Sequence, residues 1–459
     1  MTDDHIPASG ASEEHSDGAV EHSAKLDKRP RIDADKGREP TFVAAQLGTR
    51  RISFAALVER VEMEFYQEHG EIYHESPSPA LREADTPAKR LRLVLDVANY
   101  VLAVESVMLD ALERAELVKR AFSNLFGYGP LDGLLSDETI TTILIEGENK
   151  IAVRHGSGEI VALPTVFDDA EHLRQIVGRL LTDAGAELRD DTPIVETGLL
   201  IGERPVRVSI VAPPLSPVLN VEIRAHPVHV RGLDDLVLAG TMSEEAAEML
   251  RSIARSKYGF CVVGEPEAGK TVLVNAMLRE VPEAPMLIVE RAAELRIPLG
   301  AERLTARWKT RDELEVTFGE QIGHALEKKP ACIVLDEVRS DEPTSIAPLL
   351  EIDNPPRLIW AVRSAPDAKR LQSALGMLAR RAGVGQGEKL VHALYERLPY
   401  VITVARIPDK DSGEIRLRLF SIAEWQSRVD TEYPDYVLLM QFRDGEARKT
   451  ENTSARWLS

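Results

Sequence analysis

Cysteine is scarce: the 459 residues contain two, Cys261 and Cys332. Both lie in apolar, strand-like runs. The expected state is therefore a reduced, buried pair of small hydrophobes with no need for a disulfide. No apolar stretch reaches the length that crosses a bilayer. The opening MTDDHIPASGASEEHSDG has no hydrophobic core and does not read as a secretory signal, so a cytoplasmic location is expected. Cations are outnumbered, 56 Lys and Arg against 75 Asp and Glu, leaving a net charge of −19. That balance argues against general nucleic-acid binding, which needs clustered cations on phosphates. The local basic spot at Lys328 and Lys329 reads as a solvated helix face. An N-K-x-D guanine-reading motif and an L-S-G-G-Q-like signature are also missing, which disfavours GTPases and transporter ATPases.

The length suits two or three domains. Residues 1–50 begin as an acidic, Ser- and Gly-rich stretch with few apolar residues and are expected to be disordered. Residues 51–126 form a helical N-terminal module. Phe54, Leu57, Val58, Val61 and Phe65 recur at helical spacing, and a long helical stretch is expected from about Ala88 to Phe126. Residues 127–230 switch to short alternating runs: ITTILIEG, KIAVRHGSGEIVAL, RVSIVAPP and NVEIRAHP. With one helix from Asp169 to about Thr182, they predict an α+β domain on an antiparallel sheet. Val230, Arg231 and Gly232 look like a linker. In residues 233–425 helices alternate with the buried runs FCVVG, PMLIVE, CIVLDE, RLIWAV and YVITVAR, the pattern of an α/β domain with a parallel sheet covered on both faces. Residues 426–459 read as a polar C-terminal tail.

The most specific feature is GEPEAGKT at Gly264–Thr271, directly after Phe260-Cys261-Val262-Val263. This is the G-x-x-x-x-G-K-T pattern of a phosphate-binding loop between a strand and a helix. Backbone amides of Gly264, Glu265, Pro266, Glu267, Ala268, Gly269, Lys270, Thr271 and Val272 are the candidate cradle, less the proline, which has no N–H. Lys270 would neutralise β/γ oxygens, and the Thr271 hydroxyl would ligate Mg²⁺. The helix beginning near Lys270 aims its positive end at the anion. About seventy residues later an apolar strand ends in Asp336-Glu337. Paired with the loop, these acids read as the metal-water and water-activation positions of an ATP- and Mg²⁺-using site. Glu290 closes an intermediate strand and is either a second water-positioning acid or a surface acid at a strand end.

This order of motifs resembles the secretion and pilus ATPases of the type II/type IV superfamily, closest to the Tad (Flp) pilus assembly ATPases of CpaF type. The resemblance covers roughly residues 121 to 425. It is carried by NLFGYGPLDGLLSDETITTILIEG, GLDDLVLAGTMS, the acidic box VERAAEL, LDEVRSDE and LPYVITVARI. It implies a RecA-like P-loop motor domain, a smaller N-terminal α/β domain and a hexameric ring, homomeric or mixed. It also implies hydrolysis-driven domain motion acting on an inner-membrane platform protein, with the chain peripheral at that membrane. Arg207 in RPVRVS and Arg224 in VEIRAHP match arginines that the N-terminal domain donates to nucleotide. Each is either a phosphoryl clamp or a surface arginine on a strand.

Several positions depart from the family pattern. Pro266 and Glu267 replace a Thr-Gly pair, and a residue with a Cβ is disfavoured where Gly supplies φ > 0. Glu265 and Glu267 put carboxylates in an anion loop, at about 1 kcal/mol or more each if they face phosphate. Arg291 replaces an Asp, where it would lower the basicity of Glu290 or reach phosphate. The two histidines of the family's histidine box fall on Asn354 and Val362, with Arg357 or Arg363 as substitute cations. Asp336 replaces a Gly, which either restores metal-water binding or crowds the site. Two functions stay open: an Mg²⁺-dependent ATPase motor, or a catalytically degenerate relative with a structural or regulatory role.

Overall fold

Among the described residues four clusters of buried side chains organise the fold, and each follows from one kind of periodicity. The computed structural model describes residues 43–44, 51–70, 77–164, 167–339, 343–352, 354–364, 367–382, 387–409, 412–427 and 433–456. Apart from 43–44, the stretch 1–50 expected to be disordered lies outside the described residues.

The first cluster joins the helices Phe54–His69, Pro87–Val104 and Ala111–Phe126. Spacings of three and four put Phe54, Leu57, Val61 and Phe65 on one stripe, packed with Val94, Val97, Val101, Leu117 and Ala121. The single helix expected over 88–126 is in fact two. Ser106 turns left-handed at φ 55° after Val104, and Asp110 then starts a new helix. Its carboxylate accepts from the amides of Leu112 and Glu113, while Glu113 accepts from the Asp110 amide. This capping box outweighs the continuous apolar spacing.

The second cluster lines an antiparallel sheet: β1 (Ile140–Glu146), β2 (Lys150–His155), β3 (Ile160–Leu163), β4 (Ile194–Ile201), β5 (Arg204–Val211) and β6 (Asn220–Ala225), in the order β3-β2-β1-β6-β5-β4. The helix Ala170–Asp183 contributes Leu173, Ile176, Val177 and Leu180 to its core. Register pairs Arg207 with Arg224 across β5 and β6.

The remaining clusters lie on the two faces of a larger sheet: β7 (Phe260–Gly264), β8 (Met286–Glu290), β9 (Ala301–Thr305), β10 (Cys332–Val338), β11 (Arg357–Arg363), β12 (Tyr400–Pro408), β13 (Ile415–Gln426), β14 (Asp435–Arg443) and β15 (Glu446–Lys449). The order is β9-β8-β10-β11-β7-β12-β13-β14-β15. Strands β7 to β12 pair in parallel and the last three antiparallel. Alternation sends Phe260 and Val262 to one core, and Cys261 and Val263 to the other. Cys261 and Cys332 are free and buried. Strand β11 separates the loop strand β7 from the acid-bearing β10, the RecA-like arrangement of a P-loop α/β domain.

The polar tail expected beyond residue 425 is replaced by β14 and β15, which extend this sheet. Met440 and Ala447 are fully inside its core, and Trp425 and Tyr436 stack edge to face at 4.8 Å. Parallel strands share one direction, so Gly264, Glu290, Asp336, Glu337 and Arg363 all collect at the carboxyl edge of the sheet.

Candidate nucleotide site

Gly264 ends β7 against β12. A Cβ there would stand 2.7 Å from the Val404 carbonyl, so the loop can leave the sheet at this point only through glycine. The chain then turns through Glu267 at φ 61° and Gly269 at φ 84° before Lys270–Leu278 forms a helix. The departure at position 267 is thus real at the backbone: a glutamate holds the left-handed conformation. Glu265 is exposed, whereas Lys270 is buried. Lys270 Nζ donates to the Glu265 carbonyl at 3.0 Å and lies 3.4 Å from Glu337 Oε1. Burial lowers its pKa, opposed by the charges of Glu337 and Asp336. Thr271 is half-buried in the first helical turn.

The N-terminal sheet closes over this edge. Gly198 on β4 lies so near Ala292–Ala293 that an added Cβ would be 2.6 Å from the Ala293 nitrogen. Arg207 enters alongside, with only 12% of its side chain exposed. It pairs with Glu196, reaches Glu294 Oε2 at 3.2 Å and lies 3.6 Å from Glu337 Oε2. Arg339 clasps Glu196 at 2.6 and 2.8 Å, and His226 Nε2 sits 2.8 Å from Glu294 Oε1. Arg207 is therefore not a surface arginine; it bridges the lobes at the strand-end acids.

These contacts sort the acids. Burial opposes charge on Glu337, but Lys270 and Arg207 outweigh it and hold the pKa below its ordinary value. The same contest leaves Glu294 pulled down to about 2, chiefly by His226 and Arg207. Asp336 is pushed up to about 7 by burial and by the neighbouring charges of Glu294 and Glu337. Glu290 is fully buried, which removes the surface-acid reading. Its Oε2 accepts from the amides of Glu294 at 3.0 Å and Leu295 at 3.1 Å, and Oε1 pairs with Arg303. That carboxylate anchors the acidic-box loop, which runs against the expected water-positioning role.

The substitute cations separate as well. Arg291 donates to the Glu337 carbonyl at 2.9 Å with its guanidinium 4.3 Å over the Phe318 ring, so it braces the backbone of the acid strand. Arg357 lies at the amino end of β11, on the sheet edge away from the loop, bonded to the carbonyls of Ile253, Ala254 and Tyr258. Arg363, in register with Gly264, is exposed at the carboxyl edge. Asn354 precedes β11 at φ 56°, whereas Val362 is packed in the apolar core. The two histidine-box positions thus sit toward opposite ends of one strand. Arg224 pairs with Glu222 at 2.6 Å, and its charge reaches Lys270 and Glu294. Sequence reasoning missed Glu196, His226, Arg339, Arg154 and Arg406 as site residues. Arg154, His226, Arg339 and Arg406 lie inside KIAVRHGSGEIVAL, VEIRAHP, LDEVRSDE and LPYVITVARI, but their partners are distant in sequence, so their roles appear only when the lobes are side by side.

Residues 128–348, which hold the loop, the acid strand and both arginine-bearing strands, match the family model "Type II/IV secretion system protein". That stretch is similar to a type II/IV secretion system domain. A putative conjugal transfer protein of Mycobacterium tuberculosis is 32% identical over 227 residues, 48% of this chain and 64% of that relative. The chain thus spans less than two thirds of the length of that relative. The type IV secretion system protein VirB11 of Brucella suis is 26% identical over 255 residues, covering 49% of this chain and 69% of the relative. Among solved structures, the Legionella pneumophila ATPase DotB aligns over 66% of this chain and 81% of its own at 13% identity, with a TM-score of 0.46.

In the matched stretch the donor set fits a phosphate chain and Mg²⁺. Gly264 and Gly269 bring bare backbone to one turn, Lys270 is buried beside it, and Thr271 offers a hydroxyl. Among the described residues no group of three or more His, Cys, Asp or Glu is placed to hold a metal.

Proposed function

We propose that this chain is an Mg²⁺-dependent ATPase motor of a secretion or Tad-like pilus assembly machine, working as a homo- or hetero-hexamer. One observation carries the reading: Lys270, Glu337 and Arg207, from loop, acid strand and N-terminal sheet, converge within 3.6 Å contacts. A loop lysine, an ionised strand-end carboxylate and an inter-lobe arginine are the parts that bind a triphosphate, orient the attacking water and answer charge on the transferred phosphoryl group. Bound Mg²⁺ would supply charge neutralisation at the β and γ oxygens. Thr271 would hold it, with Asp336 on a metal-bound water; a cation there would favour the ionised form of that carboxylate. Arg207 and Arg224 would act from the N-terminal lobe as clamps. Among the described residues no helix is long and apolar enough to cross a membrane. In this reading the motor is cytoplasmic and meets the membrane through a platform protein, with no nucleic acid as partner.

The experiment is MgATP turnover and affinity for wild type, Lys270→Ala and Glu337→Gln. Loss of binding in the first, and binding without turnover in the second, is the expected result. Equal background rates in all three would remove the motor. The competing reading, a degenerate structural or regulatory relative, is favoured by Val362 in the core and by Arg291 bound to backbone. It predicts weak nucleotide binding with no Glu337-dependent turnover.

A further inference from the structure

Glu267 occupies the fourth position of the loop, in a left-handed conformation that costs a residue with a Cβ about 1 kcal/mol or more. Its side chain explains how that conformation is held. The carboxylate turns out of the loop into a cleft between the lobes. There it pairs with Arg154 of β2, lies 3.4 Å from Arg406 Nη1 of β12, and is 3.4 Å from the Thr142 hydroxyl of β1. The three charged side chains are 14, 21 and 23% exposed for Arg154, Arg406 and Glu267. Among the described residues the ion pairs of both arginines run to Glu267 alone. Two guanidiniums against one carboxylate leave an excess positive charge in a mostly buried cleft. Arg154 Nε, also buried, finds no hydrogen-bond partner among the described residues. Arg406 is further tied to the N-terminal lobe through the Ser157 carbonyl at 2.6 Å. Paired guanidiniums with a spare donor, next to a turn of backbone amides, suit an anion of more than one charge.

We propose that Arg154 and Arg406 form an anion subsite for the phosphate chain of a nucleotide seated in the loop, and that Glu267 is a resident competitor occupying it in the nucleotide-free chain. The inference rests on the phosphate-loop reading above and extends it. Binding requires the Glu267 carboxylate to release the arginines, so affinity is lowered. The same release loosens the loop from the N-terminal sheet, which couples occupancy of the loop to contact between the lobes.

The test is calorimetric titration of the full chain with two probes, sodium pyrophosphate and Mg·ADP. Glu267→Gln is expected to tighten both by roughly tenfold, the size of one charge-assisted pair. Adding Arg154→Ala should cancel the gain. Glu159→Gln, which removes the same charge from an exposed site outside the loop, should leave both affinities near wild type. Glu267→Gly, which also relieves the left-handed strain, serves where the Gln variant does not fold, as judged by circular dichroism and melting. Unchanged or weaker pyrophosphate binding in the Glu267 variants overturns the proposal. So does a gain that survives loss of Arg154, or an equal gain in Glu159→Gln. The nucleotide reading fails separately. If Mg·ADP binds no variant, or ignores Lys270→Ala, while pyrophosphate still follows Glu267 and Arg154, the subsite stands as an anion site without a nucleotide.

Discussion

Arg357 and Arg363 lie six residues apart on one strand and do unrelated work. Arg357 closes the carboxyl end of the helix Glu244–Arg255 and the following turn through three carbonyls. Removing a half-buried guanidinium there leaves those acceptors unpaired, so Arg357→Ala should cost about 1–3 kcal/mol in denaturant unfolding, with nucleotide affinity unchanged. Arg363→Ala should do the reverse: a stability change within about 0.5 kcal/mol and weaker MgATP binding. Glu294 sets a pH dependence. Its folded pKa, near 2, lies below the ordinary glutamate value, so the unfolded chain takes up the proton first. The resulting stability is complete above about pH 4.5 and is lost as pH falls toward 2. It amounts to roughly 3 kcal/mol. Glu294→Gln should flatten the fall in unfolding free energy across that window while lowering stability at pH 7, where His226 and Arg207 lose their partner. A slope equal to wild type would contradict this account.

Among the elements, helix Ala111–Phe126 depends on its first residues. Asp110→Ala removes a cap that accepts two amides and should lower stability by about 1 kcal/mol, measured by urea unfolding. This element also marks where the sequence was hard to read. Apolar residues continue at helical spacing from Ala88 to Phe126, and that signal overran a break set by Ser106 and Asp110. At the other end of the chain, DYVLLMQFR alternates well enough for a strand, but its polar surroundings hid the alternation. Strands β14 and β15 complete a sheet whose partners lie earlier in the chain. The central strands were legible for the opposite reason. Five near-continuous apolar runs, each buried on both faces, have few other uses in a soluble α/β domain.

For the whole molecule, the site exists because two lobes meet edge to edge. Gly198 makes the tightest point of that meeting. Gly198→Ala should force β4 away from Ala292–Ala293, cost about 1–3 kcal/mol and weaken the Arg207–Glu294 contact. Small-angle scattering of the folded variant should then report a more open molecule, and turnover should fall. A variant that stays as closed and as active as wild type would show that the lobes do not rely on this contact.

The phosphate loop, the acid-tipped strand and the alternating helices and strands were written locally, because backbone conformation and burial periodicity depend on residues a few positions apart. Which acid stays ionised, which arginine reaches the loop, and where Glu267 points were decided by tertiary structure alone. Those outcomes rest on pairs such as Arg154 with Glu267 and Arg339 with Glu196, separated by 113 and 143 residues. Only the strand order and the closure of one sheet upon the other bring such charges within a few ångströms. At that range, in a cleft with little water, their mutual field outweighs anything the neighbouring residues in sequence impose.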